Sequence, residues 1–351
     1  MKISMICYSL TGQETGLRLK DGLEKLGHQV QLWGKSKYLP DSIKESCSQW
    51  ARERFSDSQA VIFVGACGIA VRSIAPLVVS KKTDPAVLVV DECGRFVIPL
   101  LSGHLGGANE LAEVSAGILD AIAVVTTATD LHRCFAVDVF AKKNHCSIFH
   151  MKEAKEVSAA LLAGENVGFY SEYPWEGSLP KGLVSCKDSE EAKEKGLSLG
   201  ICVTIYKEHS PFDHTVFIVP RTAALGMGCR KGKAPEAILR AAEEIVKKAG
   251  IFTEGIRTLA SIDIKKEEPG LVALAKQWKL PFQVYTSQEL QAVQGDFTPS
   301  AFVKAQVGVD NVCERSALLS SGEEGILIEK KQAAEGVTAA LAAGNWRIRF
   351  E

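Results

Sequence analysis

The chain has 351 residues, 46% of them hydrophobic and 24% charged, with 41 basic against 42 acidic side chains for a formal net charge of −1. That length predicts two or three domains with sizeable cores, and the balanced charge excludes a global field that would recruit nucleic acid or an anionic membrane surface. No apolar run reaches the roughly eighteen residues a membrane helix needs, and residues 1–9 read as a first strand rather than a signal peptide. Ten scattered cysteines without a CxxC pair are expected to be reduced, mostly buried thiols, which places the protein in the cytoplasm.

Residues 3–8 form a strand pattern, residues 17–26 carry leucines at helical spacing, and residues 29–33 form a second strand, a βαβ opening. The loop between, residues 9–16, is rich in hydroxyls and glycine but matches neither a Walker loop nor GxGxxG. It is either a phosphate-binding turn or a strand-to-helix turn with a hydroxyl cap. Residues 60–64, 86–90, 96–101 and 122–126 are apolar, β-branched runs, as expected of parallel strands buried on both faces. Residues 91–95 are too few for a crossover helix, so the strands they join form an antiparallel hairpin. Residues 1–130 are therefore expected to be a flavodoxin-like α/β domain.

Two Gly-rich segments stand out here, Gly65-Ala66-Cys67-Gly68 and Ser102-Gly103-His104-Leu105-Gly106-Gly107. Each follows an apolar run and precedes a helical pattern, so each should present backbone amides at the positive end of a helix, a setting suited to carboxylate or phosphate. Between them lie Arg72, Lys81, Lys82, Asp91, Glu92 and Arg95. The stretch 64–112 is expected to form one wall of an anion-binding site.

Residues 130–143 read as a helix with Leu131, Phe135, Val139 and Phe140 on one stripe. A small α/β middle module, residues 131–219, then runs through a strand at 146–150, a helix at 152–163, a strand at 167–170, a turn-rich segment at 173–180, and strands at 201–206 and 215–219. No chemistry is assigned to it. The remainder, residues 220–351, is a C-terminal α/β domain that opens on a third Gly-rich turn, Leu225-Gly226-Met227-Gly228-Cys229-Arg230-Lys231-Gly232. Arg221, Arg230, Lys231 and Lys233 surround it with no acid between them. A helix at 235–249, a strand at 258–264, a helix at 269–278, a strand at 282–285 and a helix at 287–293 follow, and the chain ends in a helix from Ala333. The fold class is α/β, a three-part chain of mostly parallel sheets flanked by helices.

His145, Cys146 and His150 cluster without ligand spacing, so no protein-held metal is expected. The nucleophile elbow GxSxG is absent. Ser102 and His104 lie two apart at a strand end, near one face of the turn. With these residues in hand a resemblance emerges. Residues 65–112, together with Thr126-Thr127-Ala128-Thr129-Asp130, resemble the N-terminal domain of the cobalt-precorrin 5A hydrolase (CbiG) family of the anaerobic cobalamin pathway. The motif Gly226 to Gly232, then residues 261–271, Val307-Gly308-Val309 and Val312-Cys313-Glu314, resemble that family's C-terminal domain, which is related to CobE. Met227 and Lys266-Glu267 are small departures, and the middle module is the least diagnostic part.

The resemblance implies a cytoplasmic enzyme that opens the δ-lactone of cobalt-precorrin 5A and releases acetaldehyde, giving cobalt-precorrin 5B, with cobalt carried by the substrate and no cofactor of its own. A macrocycle bearing acetates and propionates calls for distributed cations and helix N-termini. The expected binding groups in the N-terminal domain are Gly65, Gly68, Arg72, Lys81, Lys82, Arg95, Ser102, Gly103, Gly106, Gly107 and Asn109. Those in the C-terminal domain are Gly228, Arg230 and Lys231, the two domains being expected to flank a cleft. His104 is the first choice of base, the amides of Gly106 and Gly107 an oxyanion hole, and Asp91, Glu92 or Asp130 the acid or base of the carbon–carbon cleavage.

Each role has a plainer competitor. Arg72 and the lysines can be a solvated face, Asp91 and Glu92 turn formers, and Cys67, Cys93 and Cys229 packing thiols. Lys265, Glu268 and Glu314 either bridge C-terminal elements or face the site. The expected partner is a small tetrapyrrole, with no nucleic acid and no membrane, and a homodimer stays open. The rivals to an enzyme are a non-catalytic tetrapyrrole carrier and, from residues 11–16, a flavodoxin-like nucleotide or flavin binder.

Overall fold

A computed structural model of the chain describes residues 1–80, 83–104, 106–127, 134–322 and 324–350. They fall into two compact units, Met1–Cys134 and Phe135–Glu351.

The first unit runs β1 (Lys2–Cys7), α1 (Leu10–Lys25), β2 (Gln29–Gly34), α2 (Cys47–Asp57), β3 (Ala60–Val64), α3 (Cys67–Ile74), β4 (Ala86–Val90), β5 (Phe96–Leu101), α4 (Ala108–Leu119) and β6 (Ile122–Ala123). Its six-stranded sheet has the order β2-β1-β3-β4-β5-β6. Strands β1 to β4 are parallel, β5 returns antiparallel to β4, and β6 is parallel to β5. The apolar strands alternate between two cores, as period-two side chains must. Ile3, Met5, Ile62 and Leu88 pack on α1 and α4 with Leu19, Leu23 and Ala112. Ile6, Val61, Phe63 and Val89 pack on α2 and α3 around Trp50 and Ala70. Burial on both faces explains why these strands read as unbroken apolar runs.

The second unit continues with α5 (Val137–Lys143), β7 (Ser147–Phe149), α6 (Met151–Leu162), β8 (Val167–Ser171), β9 (Leu183–Ser185), α7 (Ser189–Glu194), β10 (Leu199–Val203) and β11 (His214–Val219). Then come β12 (Ala223–Cys229), α8 (Pro235–Lys248), β13 (Ile256–Ile262), α9 (Pro269–Trp278), β14 (Phe282–Tyr285), α10 (Ser287–Ala292), α11 (Ala301–Val307), α12 (Cys313–Ser321), β15 (Ile326–Ala334) and β16 (Val337–Ala343). They build two five-stranded sheets, β7-β11-β10-β8-β9 and β14-β13-β12-β16-β15. One apolar cluster spans both, from Cys202, Phe217 and Val219 to Leu225, Leu259 and Leu341.

The α/β class and the antiparallel hairpin at 91–95 hold, and four readings change. The third Gly-rich segment is not a turn: residues 223–229 are strand β12, and only the stretch after Cys229 turns. The chain does not end in a helix from Ala333, because residues 326–343 form a hairpin whose second strand pairs with β12, Gly226 opposite Ala340. Alanine favours helix locally, but here small side chains let α12 lie flat on the sheet, and that packing overrides propensity. Residues 122–126 hold only the two-residue β6, and the helix expected from 130 is described from Val137.

Candidate functional site

In the first unit, strand direction decides what can act together. Register places Cys7, Val64 and Val90 at the carboxyl edge of the parallel strands, and Ala60 and Ala86 at the amino edge. Because β5 runs back along β4, with Val90 opposite Val97 and Val87 opposite Leu101, the segment after Leu101 lies at the amino edge. The two Gly-rich turns therefore sit at opposite ends of the sheet, roughly 15–20 Å apart at 3.3 Å per residue. They do not form one wall, and His104 does not share a site with Asp91, Glu92 or Arg95.

The carboxyl edge holds Ser9, Gly65, Gly68, Asp91 and Glu92. Ser9 caps α1 by accepting from Gly12 N at 3.0 Å, and donates its hydroxyl proton to Glu92 Oε2 at 2.6 Å. Thr15 Oγ1 donates to the Glu92 carbonyl at 2.7 Å. The loop at 9–16 is thus a capped strand-to-helix turn tied to the β4–β5 hairpin. Asp91 shapes that hairpin: its carboxylate accepts from the amides of Cys93, Arg95 and Phe96 at 3.2, 2.7 and 2.6 Å. Those bonds occupy both oxygens and make Asp91 a turn former rather than an acid or base. Arg95 is largely exposed and 3.7 Å from Asp91, and Arg72 is exposed on α3. Gly65 packs under Tyr8, whose ring a Cβ would meet at 2.8 Å. Burial pushes the Tyr8 phenol well above its ordinary value, the Cys47 thiol beside it adding to the effect.

The amino edge holds Ser102, Gly103, His104, Gly106, Gly107 and Asn109. Ser102 Oγ donates to the Asp84 carbonyl at 3.0 Å, and Asn109 Nδ2 donates to Thr127 Oγ1 at 3.0 Å. His104 is half-buried. The turn is wound tightly enough that a Cβ on Gly106 would come 2.3 Å from Ser102 Cβ. That winding spends one of the two amides expected to form an oxyanion hole. Gly107 N donates to the His104 carbonyl at 3.1 Å, Ala108 N to Ser102, and Asn109 N to Gly103. Gly107 is therefore no oxyanion donor. Lys81, Lys82 and Asp130 lie outside the described residues.

The second unit contains a cavity of about 610 Å³, within the range of small-molecule sites. The ends of β12 and β13 form its floor with Gly228, Cys229 and Ile262; α11 contributes Phe302 and Val303, the start of α12 Val312, and the β15–β16 hairpin Val337 and Thr338. Arg230, Lys231, Lys265 and Lys331 are its basic side chains, Asp310 and Glu335 its acidic ones. So Gly228, Arg230 and Lys231 do come together. Sequence reading missed Phe302 on α11 and Lys331, whose only signal was the Glu335-Gly336 turn that folds β15 back onto β16, the strand paired with β12.

Close approaches set this geometry. A Cβ on Gly226 would stand 1.9 Å from the Cys313 carbonyl, so glycine there lets α12 rest on the strand. Gly336, at φ +78°, lets the hairpin turn pass under Arg230, whose amide donates to its carbonyl at 3.0 Å. Two buried acids brace the walls. Glu268 accepts from Lys265 Nζ at 2.8 Å and from Gly232 N at 2.7 Å, fastening the cationic loop to the end of β13. Burial alone would raise its carboxyl, but Lys265 and the loop amides outweigh that and hold it below the ordinary range. Glu314, fully buried, accepts from the Thr298 amide and hydroxyl, Asn311 Nδ2 and Lys331 N, each at 2.7–2.8 Å. Both acids bridge elements. Cys229 and Cys313 are held up by burial, Cys313 to about 12, and are packing thiols. Among the described residues no cluster of three His, Cys, Asp or Glu side chains could hold a metal, and no helix is long and apolar enough to cross a membrane.

The cavity's size, apolar floor and basic side chains are those of a small-molecule site in an α/β protein. Three family models match it in order: Cobalamin synthesis G N-terminal at residues 49–130, Cobalamin biosynthesis central region at 135–220, and Cobalamin synthesis G C-terminus at 223–342. Cobalt-precorrin-5A hydrolase of Salmonella typhimurium is 34% identical over 84% of this chain and 85% of its own, and that of Priestia megaterium 31% identical over 82% and 79%. Protein CobE of a Sinorhizobium species is 34% identical over 36% of this chain and 82% of its own, the match falling at the C-terminus. The chain belongs to the cobalt-precorrin-5A hydrolase (CbiG) family of cobalamin biosynthesis.

Proposed function

We propose that the chain opens the δ-lactone of cobalt-precorrin 5A and releases acetaldehyde, yielding cobalt-precorrin 5B. The observation that carries this reading is the ordered match of all three family segments along one chain. Water adds to the lactone carbonyl, the ring ester opens to a carboxylate, and the freed hydroxyl becomes the aldehyde carbonyl as the adjacent carbon–carbon bond breaks. The electrons of that bond pass to the conjugated macrocycle, which takes up a proton. Cobalt enters and leaves within the substrate, so no resident cofactor is needed. The enzyme works on a free small molecule in the cytoplasm, without nucleic acid or membrane.

His104 is the proposed base for the water: imidazole is the side chain suited to taking and returning a proton in neutral solution, and His104 stands half-buried just past the end of β5. Glu92, tied to Ser9 at the other end of the sheet, is not its partner. Acetaldehyde released by purified protein from cobalt-precorrin 5A tests the reaction, and tight binding with no acetaldehyde would favour a carrier. His104→Ala should keep substrate binding and lose roughly 10²–10⁴-fold in turnover; turnover at the wild-type rate would remove His104 from the mechanism.

A further inference from the structure

The charges around the second unit's cavity are unevenly neutralised. Its two acids are answered from outside the lining, Asp310 by Arg315 at 3.0 Å and Glu335 by Arg240 at 3.1 Å. Lys265 is answered by Glu268. Among the described residues, Arg230, Lys231 and Lys331 have no ion-pair partner, although Lys330, next in sequence to Lys331, pairs with Asp296 at 2.8 Å. A solvated lysine face would not put its unpaired charges around an apolar floor. Here the accessible lining is mainly apolar, and the stem of Arg230 lies over Gly336. Phe302 is 65% exposed on α11, an uncommon state for an aromatic ring beside a pocket, and it extends the apolar surface. Unpaired cations around an apolar floor suit a ligand with a broad hydrophobic face and several peripheral carboxylates.

We propose that this cavity is the anchoring site for the macrocycle, with Arg230, Lys231 and Lys331 gripping peripheral carboxylates while its apolar floor and Phe302 take the ring face. The inference deepens the substrate reading above and rests on it for the ligand's class, but it assigns the anchor to residues 228–338 rather than to the Gly-rich turns of the first unit. The grip acts on substrate and product alike, so it sets affinity rather than the rate of the chemical step. Glu268 is a positioning residue: it holds Lys265 and the Gly232 amide, and so sets where Arg230 and Lys231 stand.

The test uses the full chain with two readouts, KM and kcat for acetaldehyde release, and direct binding of uroporphyrin, a polycarboxylate tetrapyrrole, alongside its fully methylated ester. Lys231→Gln with Lys331→Gln should weaken uroporphyrin binding and raise KM about tenfold or more, with kcat nearly kept. The ester should bind wild type poorly, and wild-type affinity for the acid should fall with salt. A control pair on α6, Lys152→Gln with Lys155→Gln, should change neither readout. Lys231 is exposed and Lys331 half-buried, so an unchanged unfolding midpoint is checked for the double variant, and Phe302→Ala gives an independent arm that should weaken both acid and ester. Unchanged KM and unchanged uroporphyrin affinity in the double variant would overturn the anchor while leaving the hydrolase reading intact. Lysine-dependent binding in a wild type that releases no acetaldehyde would overturn the reaction and leave the anchor standing.

Discussion

Two glycine-rich segments that look alike as strings of residues do opposite things. Ser102 to Gly107 is a turn whose glycines let the backbone wind back on itself, and the winding consumes the Gly107, Ala108 and Asn109 amides within the turn. Residues 226–228 are strand, and their glycines let other elements come close: α12 over Gly226, and the Thr338 hydroxyl, bonded to the Gly228 carbonyl at 3.2 Å. The first use of glycine shapes the turn itself. The second brings walls together and leaves the basic residues just beyond the strand facing a cavity. The lesson is that glycines spent on contact between elements shape the cavity beside their strand, whereas glycines spent on local turning shape only the turn that carries them.

The sharpest way to break that comparison is at Gly226. Gly226→Val places carbon where the Cys313 carbonyl stands, at 1.9 Å for Cβ alone, and α12 must lift off the sheet. A loss of about 4 kcal/mol or more is expected, the overpacking of a rigid backbone contact, read as a large fall in the unfolding midpoint. A loss under about 1 kcal/mol would mean that α12 can shift and that the glycine is incidental.

Glu268→Ala comes next. It strands the Lys265 ammonium and the Gly232 amide in a mostly buried place, at a cost of about 3 kcal/mol, and should raise KM by loosening the cationic loop. The pH dependence has a definite sign. The Glu268 carboxyl titrates below its ordinary value of 4.5 in the folded chain, so the unfolded chain takes up the proton first as pH falls. The pair's contribution is full above about pH 4.5 and is lost below it as the folded value is crossed. Wild type should therefore lose stability across that acid range by more than the variant does, in denaturant titrations at successive pH values.

Asp91→Ala is smaller. It removes the acceptor for three hairpin amides on a partly exposed turn, worth about 1–2 kcal/mol, and should leave kcat unchanged because Asp91 lies at the sheet edge away from His104. A hundredfold loss of kcat with the fold intact would return Asp91 to the chemistry.

Much of this was readable from residues alone, and the part that was not has a physical cause. The two-face burial of β1, β3 and β4 is written in their unbroken apolar runs, and the hairpin follows from having only five residues between β4 and β5. That hairpin already implied that residues 102–107 return to the opposite edge from residues 65–68; the direction of one strand was the missing step. The Ala-rich end was not legible, because residues 337–343 take their conformation from pairing with residues 223–229, over a hundred positions earlier, and long-range pairing leaves no local pattern. Lys331 was invisible for the same reason, since only the hairpin brings it to Lys231. Lys265 and Glu268, three apart, could be read as a possible pair, and their geometry resolves which alternative holds.

The smallest effect tests the first unit's glycines from the other side. Gly68 lies in the first turn of α3 with open space around it, the nearest atom to an added Cβ being Arg72 Nη1 at 3.9 Å. If it is an ordinary helical glycine, Gly68→Ala should stabilise the chain by about 0.5–1 kcal/mol, because alanine has less conformational entropy to lose on entering the helix. KM should not move, since an added methyl meets nothing in the folded chain. If instead the bare backbone at Gly68 receives a substrate carboxylate, the methyl occupies that approach and KM rises severalfold while the unfolding midpoint still climbs. The two outcomes differ in KM alone, so one variant with two readouts decides whether the carboxyl edge of the first sheet touches substrate or only supports the fold.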